Sequence, residues 1–155
     1  MELSDILSEA SVVVLSDKFS KEQVLHSLAD RAAQVIGADA GEVFSAVNER
    51  EKLGSTGLGN GIAIPHGRFP GLPAVTAVFA RLTEPVDFEA VDDQPVDLVM
   101  LLLAPIGAGA DHLKALARVA RVLRTESVID DLRRTTDPAR LYEILTLPLT
   151  ASRAA

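Results

Sequence analysis

LGSTGLGNGIAIPHG, residues Leu53 to Gly67, delivers a single histidine, His66, off the end of a glycine-rich run and behind a proline. Gly54, Gly57, Gly59 and Gly61 space the first part of this stretch. Glycine carries no Cβ and accepts positive φ, so the run is expected to fold tightly and present backbone N–H groups. Ile62-Ala63-Ile64 then has the composition of a short buried strand. Pro65 fixes its own φ, removes a donor and disfavours helix at Ile64, so His66 is expected to leave a strand end at a defined angle. Gly67 would keep the far side clear for a large approaching donor.

A nucleotide loop is the first alternative, because glycine-rich turns cradle phosphates where a strand passes into a helix. The order here is reversed: a helical pattern precedes the loop and a strand follows it. No Gly-Lys-Ser/Thr ending is present, and the glycines miss the dinucleotide spacing. Taken alone, Pro-His-Gly reads as an ordinary strand end after a tight turn.

Outward from the loop, Ser20 and Gln23 form a capping box for a helix with Val24, Leu25, Leu28, Ala32, Val35 and Ile36 on one stripe, ending at Gly37. Asp39 and Glu42 repeat the device, with Val43, Phe44, Val47 and Leu53 as the buried stripe and Arg50 at the C-terminal end. Apolar strands are expected over 62–64, 75–82 and 96–103; the last is almost unbroken and suits a central strand covered on both faces. Asp111 is positioned to cap a third helix with a stripe of Leu113, Leu116, Ala117, Ala120 and Leu123, which sets His112 at its start and Arg118, Arg121 and Arg124 elsewhere on its surface. Asp137-Pro138 opens a last helix that buries Leu141, Tyr142 and Leu145. Helices bracketing short strands make an α/β layered domain.

The chain has 155 residues, of which 48% are hydrophobic, enough for one domain with a sizeable core. It has no cysteine, hence no disulfide frame or thiolate metal site. Nothing resembles a secretion signal, and the longest apolar run, 98–105, is too short to span a bilayer, so a soluble intracellular protein is expected. A net charge of −7 argues against a nucleic-acid partner and favours proteins with basic surfaces.

The whole string, with Glu51 ahead of it, Leu58-Gly59 within it and Ile62-Ala63-Ile64-Pro65-His66-Gly67 closing it, resembles the active-site signature of fructose- and mannitol-class enzyme IIA domains of the bacterial phosphoenolpyruvate-dependent phosphotransferase system. FEAVDDQPVDLVMLLLAP (88–105) and DHLKALARVARVL (111–123) resemble the same family in the same order. NEREKLGSTGLGNGIAIPHG is most similar to its nitrogen-related regulatory branch. The resemblance implies one such domain over residues 1–150, a mixed sheet flanked by helices, with 151–155 a disordered tail.

It further implies that His66 accepts a phosphoryl group at Nε2 from the phosphohistidine of a small histidine phosphocarrier protein, with no cofactor and no metal. Neutral imidazole suits this step, since its ordinary pKa is about 6.5 and it needs no separate base. His112 would line the site and stabilise the phosphoryl oxygens, and Arg50 would add positive charge. Gly57, Gly59, Asn60, Gly61 and Gly67 would form the loop around the histidine and the carrier's docking surface. Arg68 replaces the lysine common at its place and keeps the charge; His26 reads as surface. Family members are associated with potassium-transport control, a stringent-response enzyme and sensor kinases.

Three other readings stand beside this one. A sugar-uptake enzyme IIA would pass the group to a separate IIB. A regulatory binding module would not be phosphorylated at all. A zinc hydrolase would use the two histidines with carboxylates, although no spaced ligand motif supports it.

Overall fold

The computed structural model describes residues 1–147, so the expected tail at 151–155 lies outside the described residues. The order is β1 (Val12–Leu15), α1 (Lys21–Ile36), α2 (Ala40–Lys52), β2 (Gly57–Gly59), β3 (Ile62–Ala63), β4 (His66–Phe69), β5 (Thr76–Val86), β6 (Val96–Pro105), α3 (Gly109–Leu123), α4 (Glu126–Arg133) and α5 (Pro138–Thr146). A mixed sheet is therefore flanked by helices, as expected.

β6 is the axis of the sheet. On one side it pairs antiparallel with β5, which pairs parallel with β1. On the other side β3 and β4 lie in tandem along it, both parallel, with Ile62 opposite Leu98 and His66 opposite Leu102. The Pro65 carbonyl accepts the Leu102 N–H at 2.9 Å, so the edge runs on past the proline. Alternate β6 residues serve two cores: Leu98, Met100, Leu102 and Ala104 pack toward α3, α4 and α5, while Val99, Leu101 and Leu103 pack toward α1 and α2. Coverage on both faces explains why this strand reads as continuous hydrophobic sequence.

Local signals formed as read at several helix ends. Ser20 and Gln23 exchange their capping bonds, and Gly37 closes α1 at φ 72°. Asp39 accepts the Glu42 N–H at 3.0 Å, and Asp137 caps α5 by accepting from Ala139. Glu51, the acidic residue ahead of the glycine run, is 7% exposed; it accepts the Thr56 N–H and hydroxyl at 2.8 and 2.7 Å and pairs with Lys21 at 3.1 Å. It ties both helices to the loop.

Four expectations are corrected. Val35 is 37% exposed and Leu53 85%, so neither belongs to its buried stripe. On α3 the buried residues are His112, Ala115, Val119, Val122 and Leu123, a face rotated from the expected one, because His112 is itself an inward position and Leu113 points out. Asp111 does not cap α3; the N-cap is Ala108 and Asp111 lies in the first turn. β1, β2, β4 and α4 were not expected as elements at all.

Candidate functional site

His66 opens β4 rather than leaving a strand end, and half-buried there it faces the side of the sheet covered by α3. Its Nδ1 lies 2.9 Å from the Ile64 carbonyl oxygen. A carbonyl only accepts, so Nδ1 carries the proton and the neutral ring keeps its lone pair on Nε2. The tautomer is thus set by the chain two residues back, a partner that composition and spacing could not name.

His112, in the first turn of α3, brings its ring centroid to 5.5 Å from that of His66, with the planes at 53°. It is 7% exposed, and its Nδ1 is buried without a hydrogen-bond partner among the described residues. Burial, then the charges of His66 and Arg68, push its pKa below the ordinary histidine value. The ring is therefore held neutral, and an anion placed beside it would draw a proton toward it.

These rings sit at a depression of about 450 Å³ walled by Ala46, Glu49, Arg50 and Leu53 of α2 and the following turn, and by Gly67 and Arg68 of β4. Arg50 spends one donor on the Gly54 carbonyl at 2.9 Å, which holds its guanidinium at the rim. Arg68, two residues on, shares the α3-facing side of β4 with His66 and is exposed. Its role at the site was missed in the sequence because β4 was not recognised; the period-two spacing would have found it.

The glycines divide. Gly67 lines the depression, yet it does not keep it open: a Cβ there would meet the Ala46 carbonyl at 3.2 Å, so this glycine lets β4 pack against α2. Gly57, Gly59, Asn60 and Gly61 do not surround His66. They lie at the opposite end of the β6 edge, where the Gly61 carbonyl accepts from Asp97 and Leu98. Gly57 is pressed on Ala90, with space for a Cβ only 2.7 Å from that methyl. Gly61, at φ 81°, leaves room for the Arg133 guanidinium, which donates to Asp97 from Nε and Nη2 at 2.9 and 2.8 Å and from Nη2 to the Asn60 carbonyl at 2.6 Å. Asn60 itself has φ 58° and donates its N–H to Asp92.

His26 is exposed and stacks on Phe44 at 3.6 Å, away from the depression. Among the described residues no three His, Cys, Asp or Glu side chains gather into a metal-binding group. No helix among them is long and apolar enough to cross a membrane. What the site offers is an unprotonated ring nitrogen in an open, positively bordered hollow.

A family model described as "Phosphoenolpyruvate-dependent sugar phosphotransferase system, EIIA 2" matches residues 5–147. A nitrogen regulatory protein of Bradyrhizobium diazoefficiens is 48% identical over 148 residues, covering 96% of this chain and 97% of that one. Another, of Klebsiella oxytoca, is 40% identical, covering 94% and 91%. The crystal structure of nitrogen regulatory protein IIA-Ntr from Neisseria meningitidis superposes with a TM-score of 0.85 at 35% identity, covering 93% of this chain and 99% of that one.

Proposed function

The chain belongs to the EIIA type 2 family of the phosphoenolpyruvate-dependent sugar phosphotransferase system, and on that premise we propose that it is a cytoplasmic phosphocarrier of the nitrogen-related branch. In this reading His66 takes a phosphoryl group from the phosphohistidine of a small carrier protein. Other proteins are then regulated according to whether His66 carries the group. The observation that carries the reading is the bond from His66 Nδ1 to the Ile64 carbonyl, which leaves Nε2 as the nucleophile.

The Nε2 lone pair attacks phosphorus while the donor's P–N bond breaks. The departing electron pair stays on the donor imidazole, which leaves neutral because its other ring nitrogen carries a proton, and the new phosphohistidine keeps the Nδ1 proton held by the Ile64 carbonyl. Both bonds are phosphoramidates, so the exchange is close to balanced and catalysis is alignment plus charge stabilisation. His112, 5.5 Å away by ring centres, donates to or shares a proton with the phosphoryl oxygens; Arg50 and Arg68 supply positive potential at the rim. The hollow is open enough for the ring of a second protein, and Leu53, 85% exposed at its edge, offers an apolar contact to the carrier.

The regulatory branch is supported by the likeness to proteins named for nitrogen regulation over nearly their full lengths. Phosphorylation adds about two negative charges at neutral pH, enough to change which surface docks there. The test is incubation of the chain with phosphoenolpyruvate, enzyme I and a nitrogen-type carrier, followed by intact mass. One acid-labile phosphoryl group on the wild type and none on His66→Ala is expected. No adduct from nitrogen-type or sugar-type carrier overturns the relay, and faster transfer from the sugar-type carrier moves the chain to the sugar-uptake branch.

A further inference from the structure

The outer face of α3 takes no part in the transfer just described. With His112, Ala115, Val119, Val122 and Leu123 turned inward, the helix presents Leu113, Lys114, Ala117 and Arg121 to solvent. At 100° per residue these four fall within an arc of roughly 100°. Leu113 is 67% exposed. Lys114 and Arg121 have no carboxylate within ion-pair distance among the described residues, whereas Arg118, at the margin, is committed to Glu2 at 2.6 Å. Arg124 continues the line toward a depression it shares with Glu126 and Asp130. In a chain of 22 acidic and 15 basic residues, a helix face with three cations unpaired among the described residues, set around an exposed leucine, is complementary to a partner of the opposite design.

We propose that this face of α3 docks an acidic, leucine-bearing segment of a regulated protein, and that a phosphoryl group on His66 weakens the docking. The second half rests on the function proposed above. Three cations without an ion pair among the described residues, Lys114, Arg121 and Arg124, make too few phosphate contacts for a nucleic acid to bind a chain of this net charge, and Leu113 with Ala117 asks for an apolar side chain in return. Leu113 is the neighbour of His112, whose ring lies 5.5 Å from His66. The added charge therefore stands toward the head of the face and repels an acidic partner there, an effect that salt screens over a Debye length of roughly 8 Å.

The probe is a fluorescein-labelled peptide of about three helical turns with leucines on one face and glutamates beside them, titrated onto the full chain by anisotropy. The unphosphorylated protein is expected to bind it, with amide shifts in NMR confined to α3. The double variant Lys114→Glu, Arg121→Glu is expected to weaken binding about tenfold while still taking phosphoryl at the wild-type rate. Lys114→Gln, Arg121→Gln serves if the reversal disturbs folding. Carrier-phosphorylated protein is expected to bind about tenfold more weakly than unphosphorylated. Absence of binding, shifts centred elsewhere, or equal displacement of the peptide by polyuridylate overturns the docking assignment. Equal binding by the phosphorylated chain overturns the switch and leaves the relay standing; failure of His66 to take phosphoryl overturns the relay and leaves the docking face standing on its other results.

Discussion

The glycine half of the signature, Gly57 to Gly61, and its histidine half, Ile64 to Arg68, are neighbours in sequence and opposite in use. They attach to β6 about four residues apart, near Leu98 and Leu102, which is roughly 13 Å of strand. At the first, missing side chains make room for Ala90 and for the Arg133 clamp on Asp97 and Asn60. At the second, a backbone carbonyl and a buried histidine prepare a ring nitrogen. A motif can thus be one string because its two parts brace one strand edge, not because all its residues meet one ligand.

Substitutions that separate the halves test this. The largest effect is expected from His66→Ala: phosphoryl uptake disappears in the intact-mass assay, while the unfolding free energy from urea titration falls by only about 1 kcal/mol, the loss of one half-buried ring and its bond to the Ile64 carbonyl. Gly61→Ala should do the reverse. A Cβ at positive φ, set against Arg133 and Asp97, is expected to cost about 3 kcal/mol and lower the melting midpoint by roughly 6–12 °C, with phosphorylation of the folded protein nearly unchanged. Loss of phosphorylation without loss of stability in that variant would return the glycines to the active site. Gly67→Ala stands between, since a Cβ there pushes β4 from α2: about 1–2 kcal/mol of stability and about tenfold in transfer rate.

The smallest effect concerns pH. His112 has a lowered pKa in the folded chain, so on acidification the unfolded chain binds a proton first, near its ordinary value of about 6.5. Stability is therefore full above that pH and falls as pH drops toward the lowered value. His112→Gln is expected to flatten this part of the urea-midpoint profile, and an unaltered slope would remove His112 from the account. The same variant should slow phosphoryl uptake, by about tenfold or more, through lost stabilisation of the oxygens.

Much of this is legible in the sequence. Capping residues act locally, so Ser20, Gln23, Gly37, Asp39 and Asp137 declared the ends of α1, α2 and α5. The unbroken run 96–103 announced a strand covered on both faces. Elements held by pairing rather than by composition were missed. β4, His-Gly-Arg-Phe, has no strand pattern of its own and exists because β6 lies beside it. α4 is eight residues long with three buried apolar positions, too brief to show a period. The α3 stripe was misplaced for a related reason: a hydrophobic count treats histidine as outward, and His112 is buried on the inward face, its ring beside that of His66. The histidine pair and the Arg50 rim were anticipated through likeness to a family. The Ile64 carbonyl was not, since every residue has one and only the path of the chain selects it.

That anonymity makes the Nδ1 bond durable. A side-chain partner for His66 would vanish with one base change, whereas the carbonyl at position 64 survives replacement of Ile64 by another apolar residue that keeps the chain's path. The free Nε2 of His66 is therefore inherited with the backbone trace, and side chains at neighbouring surface positions can drift without touching it. Only a change that bends the chain, such as loss of Pro65, exposes it to failure.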